Sequence, residues 1–199
     1  MMQISTHFIG FLTILCITLQ ISSTLATKTT PTYTDFLKTS CKSTLYPQLC
    51  YNSLSSYASD IQTSPQMLAN ASLSVTLATT KTTAAFISKM SKGPAIRPRE
   101  AGALKDCLEE LRDAVRELQG SIKEMSHIKG SNKVGIMMND IETWVSAALT
   151  DSDTCMTGFD GKIMDGKLKK VVRGKIMNIC HLTSNSLALI NCYASSMQG

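Results

Sequence analysis

Leu104, Leu108, Leu111, Val115, Leu118, Ile122 and Met125 recur at alternating steps of four and three residues. A 3.5-residue period of this kind keeps one side of a helix against neighbours that run nearly antiparallel to it. Charged side chains fill the other faces. The pattern predicts a helix over residues 99–127, stopped near Gly130, with Ser131 and Asn132 able to start the next one. That next helix is predicted over about residues 133–150. Val134, Met137, Met138, Ile141, Trp144, Val145, Ala148 and Leu149 form its apolar face, and a polar turn over residues 151–154 ends it. Gly158, Gly161 and Gly166 mark a loose connector. A last helix follows over about residues 167–195, with Leu168, Val171, Val172, Ile176, Ile179, Leu182, Leu187, Ile190 and Tyr193 inward.

Upstream the pattern is weaker. Ser64-Pro65 reads as an N-cap followed by Pro at the first helical position, and Gly93-Pro94 as a stop. The helix between them, ending near Met90, is given the inner stripe Leu68, Ala71, Val75, Ala78, Thr82, Ala85 and Lys89, mostly small residues. Residues 32–60 carry Phe36, Leu37, Leu45, Leu49, Leu54 and Tyr57, with Pro47 in the middle. Pro47 breaks the helix and makes a hairpin. No alternating run suits a sheet. The expected fold is all-α: an N-terminal helical hairpin over residues 32–60, then an up-down-up-down four-helix bundle over residues 65–195.

Residues 8–21 are mostly apolar and uncharged but too short to span a bilayer as a helix. Thr24 and Ala26 are small residues at the places that a signal peptidase reads. Residues 1–26 are therefore expected to be a secretory leader, and residues 27–199 the mature chain. A membrane anchor is the other reading. The formal charge of +5 comes from 20 Lys and Arg against 15 Asp and Glu, with no run of five like charges, so nucleic acid is not an expected partner. A free monomer is expected, with no membrane attachment after the leader is removed.

An oxidising compartment makes disulfides the default for Cys41, Cys50, Cys107, Cys155, Cys180 and Cys192. In one continuous helix Cys41 and Cys50 would stand about 13 Å apart; the break at Pro47 lets them meet. Cys107 and Cys155 lie at ends that meet in an antiparallel pair. Cys180 and Cys192 are about 18 Å apart along one helix and cannot bond each other. They are read as free thiols, one buried; a link between two chains through one of them is the alternative.

Chemistry is sparse. His127 and His181 sit in no metal-binding spacing, and no nucleophile, phosphate-loop or dinucleotide motif occurs. His127 is placed to interact with the dipole of the helix it ends. No catalytic residue, metal or cofactor is expected. Glu109, Asp113 and Glu117 repeat at four-residue steps on one face, either as a solvated stripe or as a surface for a basic partner. Asn70-Ala71-Ser72 is an N-glycosylation acceptor, expected on an exposed turn of helix. Together these point to a binding or inhibitory module.

The Cys-x8-Cys run at 41–50, DCLEELRDAVRELQ at 106–119, TWVSAALTDSDTC at 143–155 and LTSNSLALIN at 182–191 resemble the plant invertase and pectin methylesterase inhibitor family. The likeness covers nearly all of the mature chain. It implies the same hairpin-plus-bundle fold, the pairing Cys41–Cys50 and Cys107–Cys155, and a lone last-helix cysteine at Cys180; Cys192 is additional. It implies a secreted protein of the plant apoplast or cell wall that is not an enzyme. The implied function is a non-covalent one-to-one complex with pectin methylesterase that covers the cleft where pectin lies, or, as the alternative, inhibition of acid invertase. SAALTDSDTC favours the esterase. On the resemblance, Glu109 and Asp113 match acidic positions that face the esterase, and Thr154 a position pointed toward its active site. No esterase domain is expected to follow the bundle.

Overall fold

The computed structural model of the protein describes residues 32–159 and 166–197. The expected leader and Gly161 lie outside the described residues. The regular elements are α1 (Tyr33–Cys41), α2 (Pro47–Leu54), a 3-10 turn (Ser55–Tyr57), α3 (Ala58–Ile61), α4 (Pro65–Met90), α5 (Pro98–His127), α6 (Val134–Thr157) and α7 (Lys167–Ser196). All regular structure among the described residues is helical, as the sequence pattern requires.

The helix starts follow from local chemistry. Thr32 and Asp35 form a capping box at α1, Pro47 occupies the first turn of α2, and the Ser64 hydroxyl accepts from the Met67 amide at 3.2 Å to cap α4. At α5 the Glu100 carboxylate accepts from the Arg97 amide at 2.9 Å. Gly130, with φ +83°, turns the chain between α5 and α6 in a conformation that costs other residues strain.

The long helices pack α4 on α5, α5 on α6, α6 on α7, and α7 back on α4, closing a four-membered ring. Two apolar clusters fill it. One joins Ile87, Leu104, Leu111, Phe159, Val172 and Ile176; the other joins Leu73, Leu118, Met125, Ile141 and Ile190. The hairpin stacks Leu37, Leu54 and Ile61 on Leu68 of α4 and Leu189 of α7. Cys41 and Cys50 are bonded with Cα atoms 5.6 Å apart, across the break that Pro47 supplies. Cys107 and Cys155 are bonded between α5 and α6. By the chain-entropy model the second bond stabilises by about 4 kcal/mol and the first by about 2.6.

Three expectations are corrected. The inner face of α4 is Leu68, Ala69, Ser72, Leu73, Thr76, Thr80, Thr83 and Ile87, whereas Ala78, Thr82, Ala85 and Lys89 are exposed. Threonine reads as polar, yet Thr76 donates to the Ser72 carbonyl and Thr80 to the Thr76 carbonyl, both at 2.9 Å, leaving mainly methyl groups to pack. The polar turn at residues 151–154 is helix: α6 runs through Thr157, with Ser152 donating to the Ala148 carbonyl at 2.7 Å. Val171 is exposed, because Val172 takes the inward position beside it.

One polar residue inside α7 holds the hairpin. Asn185, almost fully buried, accepts from the Tyr46 amide and donates to the Tyr46 carbonyl, both at 3.0 Å. The Tyr46 ring stacks on His181 with centroids 3.8 Å apart. Substituting Asn185→Ala leaves both Tyr46 backbone groups without that partner. It should cost about 1–3 kcal/mol of stability, read from the urea midpoint of the purified chain.

Candidate functional site

The edge between α5 and α6 carries the sequence-nominated partner residues. The Cys107–Cys155 bond sets the level of the two helices. Further along, Gly120 lets Trp144 lie against α5: a Cβ there would stand 3.3 Å from the indole Cε3. Glu109 is two residues past Cys107, and Thr154 is one before Cys155, so the bond brings both to one level of the bundle. Both are exposed, and the Thr154 hydroxyl donates to the Thr150 carbonyl at 2.9 Å. Asp113 lies one turn beyond Glu109, partly exposed, in an ion pair with Arg116.

Charge accumulates along this edge. α6 contributes Asp140, Glu142, Asp151 and Asp153 with no Lys or Arg, and α5 carries 7 acidic against 5 basic residues. Glu110 holds its proton more tightly than usual, first through burial and then through the negative charges of Asp151, Asp113, Glu109 and Asp106.

Glu117 is not the solvated end of a stripe. Its Oε2 and the Oδ2 of Asp151 are buried, and no donor among the described residues reaches them. The two carboxyls are neighbours, and they can share a hydrogen bond only when one of them carries a proton. Side chains on a helix lean toward its N-terminus, so on antiparallel helices Glu117 and Asp151 lean toward one another. Burial pushes Glu117 up to about 7, assisted by the charge of Asp151, its hydrogen bond and Asp113, while Arg116 opposes. Asp151 is raised as well, chiefly by burial. Sequence reasoning missed Asp151 because it assigned those residues to a turn. Continued by one helical turn, α6 would have placed Asp151 four residues before Cys155, on the side facing α5.

The other nominated residues are scattered. Cys180 and Cys192 are free thiols, the first buried and the second exposed. Desolvation lifts the Cys180 thiol to about 11. The Cys192 sulfur lies 3.5 Å from the Ser43 hydroxyl. His127 is exposed at the end of α5, with Nδ1 2.7 Å from the Lys123 carbonyl. Asn70 is half-buried within α4, not on an open turn, and the Ser72 hydroxyl is turned to the Ala69 carbonyl. Among the described residues no three His, Cys, Asp or Glu side chains gather in a way that could hold a metal ion. No described helix is long and apolar enough to cross a membrane.

Two outcomes follow. Glu117 and Asp151 bind protons more tightly folded than unfolded, so the folded state takes up protons between about 4.5 and about 7. Their contribution to stability is present in acid and is lost as pH rises through about 7. The melting temperature should therefore fall from pH 5 to pH 7.5, and Glu117→Gln should flatten that slope; scanning calorimetry at both pH values checks it. Separately, a thiol reagent at neutral pH should label Cys192 at least about tenfold faster than Cys180 in the native chain, with equal rates in denaturant.

A family model described as "Plant invertase/pectin methylesterase inhibitor" matches residues 35–189. Pectinesterase inhibitor 11 of Arabidopsis thaliana is 41% identical over 192 residues, covering 95% of each chain. Pectinesterase inhibitor 10 of the same plant is 46% identical over 175 residues, 87% of this chain; the match spans 55% of that longer relative. The 21 kDa protein of Daucus carota is 46% identical over 163 residues, covering 80% of this chain and 84% of its own length. The fold matches a crystal structure of a mutant pectin methylesterase inhibitor from Arabidopsis with TM-score 0.63 at 22% identity, over 78% of this chain and 95% of that one. Relatives named pectinesterase inhibitors are inhibitor proteins rather than enzymes, and with the stapled hairpin and ring of four helices already described, these matches place the chain in the plant invertase/pectin methylesterase inhibitor family.

Proposed function

We propose that this chain is a secreted inhibitor of pectin methylesterase that binds the enzyme through the edge between α5 and α6. The observation that carries the reading is that Glu109 and Thr154 stand exposed at one level of that edge, beside the Cys107–Cys155 bond. The names of its relatives, pectinesterase inhibitors, support an esterase as the target. In this reading Glu109 and Asp113 meet basic groups on the esterase, and the short Thr154 side chain enters its substrate cleft. The complex is non-covalent and one-to-one, and the cleft is closed to pectin by the helices themselves. Residues 1–26 direct the chain to the apoplast and cell wall, and Asn70 is the acceptor for a glycan.

The chemistry of such a contact favours carboxylates only where each finds a partner. An unpaired buried charge costs several kcal/mol, whereas a charge-assisted hydrogen bond repays it. With Glu117 raised to about 7, the Glu117–Asp151 pair puts less charge on the edge in acid than a count of carboxyls implies.

Titration of purified mature chain against pectin methylesterase and acid invertase in parallel tests the proposal. The expected result is stoichiometric inhibition of the esterase and none of the invertase. Glu109→Gln and Asp113→Gln should each weaken inhibition by about 2–5 kcal/mol, because a basic group on the enzyme is left unpaired. Thr154→Trp should block the complex with an unchanged circular dichroism spectrum. Inhibition of invertase alone, or full inhibition by the Thr154 variant, overturns the assignment.

A further inference from the structure

The charges of the bundle are divided by edge. α7 carries Lys167, Lys169, Lys170, Arg173 and Lys175 and no acidic residue, and α4 carries Lys81 and Lys89 and none. The remaining 15 basic residues of the chain equal its 15 acidic ones, so α7 alone supplies the net +5. Its second half, from Ile176 onward, has no charged residue. The folding of the helix does not explain this. Cations crowd the first turns, where the helix dipole is positive and acidic residues are favoured, and none is there. Lys167, Lys170 and Arg173 are exposed and repeat every three residues, rising about 4.5 Å per step.

An aromatic cleft lies on the α4 side of the same half-helix, reached by Lys175. The Lys175 ammonium lies 5.2 Å from the centre of the Phe86 ring on α4. Phe86 is 38% exposed and, with Lys89, Met90 and Ile96, lines a shallow cleft of about 460 Å³ beside Lys175 of α7. A flat apolar ring flanked by ammonium groups suits a sugar that bears a carboxylate: the ring takes the C–H face, and the cation takes the charge. Further exposed cations on the first turns of the same helix suit a polymer of such sugars.

We propose that the edge formed by α4 and the first half of α7 is a binding surface for an acidic polysaccharide, a chain of uronic acid residues with free carboxylates. This extends the function proposed above and rests on it for the choice of polymer, since de-esterified pectin is what a pectin methylesterase leaves behind. The acidic α5–α6 edge lies across the ring from this one. Enzyme and polymer can then be held at once, and the inhibitor is retained where the enzyme has already acted.

The test measures binding of the mature chain to polygalacturonate and to the same polymer fully methyl-esterified, by affinity electrophoresis and calorimetry. Esterase inhibition is followed separately with a small soluble ester. The expected result is binding to the free acid only, weakened roughly tenfold by a fourfold rise in salt. The triple variant Lys167→Gln, Lys170→Gln, Arg173→Gln should lose roughly tenfold in affinity. It should melt no lower than the parent, because neutralising cations at a helix start relieves repulsion. Phe86→Ser should weaken polymer binding, and both variants should inhibit the esterase normally. Equal binding to the neutral polymer, equally tight binding to single-stranded DNA, or unchanged affinity in the triple variant overturns the inference. A chain that inhibits the esterase but ignores polygalacturonate refutes this inference alone. One that binds polygalacturonate but spares the esterase refutes the inhibitor assignment and leaves the surface standing.

Discussion

The covalent tie between α5 and α6 sets what the rest of the molecule can present. Helices packed through small and aliphatic residues have several registers of similar energy, and a one-turn slip moves a side chain by about 5.4 Å. The Cys107–Cys155 bond removes that freedom. Once it is formed, Gly120 must receive Trp144, Glu117 must meet Asp151, and Glu109 must share a level with Thr154. The arrangement of the α5–α6 edge is thus a by-product of a constraint placed in the core.

Electrostatics works on a longer scale. Packing asks only that each helix have an apolar side, and it leaves the sign of the outer charges open. Here α6 and α5 are acidic while α4 and α7 are basic. Adjacent helices of opposite sign attract across the α4–α5 and α6–α7 contacts. Like charges are concentrated across α5–α6, where the disulfide holds what repulsion would part, and protonation of Glu117 below about pH 7 lowers the charge to be held.

Much of this was legible in the chain. The seven-residue seam of α5 named its core because leucine spacing is unambiguous, and Pro47 between Cys41 and Cys50 disclosed the hairpin and its bond. The partner residues came from the family resemblance, since no periodicity distinguishes Thr154 from other exposed threonines. Part of what was misread has one cause. Thr76, Thr80 and Ser152 look like surface on a polarity scale, but within a helix they return their hydroxyls to carbonyls three or four residues back. A sequence pattern counts the oxygen; the core feels the methyl or the small volume. The same error cut α6 short and hid Asp151. The charge on α7 was readable as a run of residues, but its isolation on one edge needed the order in which the helices close.

The self-bonded hydroxyls of α4 have a mechanical consequence. A helix that satisfies its own inner polar groups offers its neighbours almost featureless hydrocarbon, over which rotation and sliding meet little directional resistance. The Thr76 hydroxyl is different: it also reaches the Ser186 hydroxyl of α7, at 3.0 Å in the buried interior. That contact acts as a detent on an otherwise smooth shaft, and it bears on the angle at which Phe86 and Lys89, about three to three and a half turns further along the same helix, are offered to solvent.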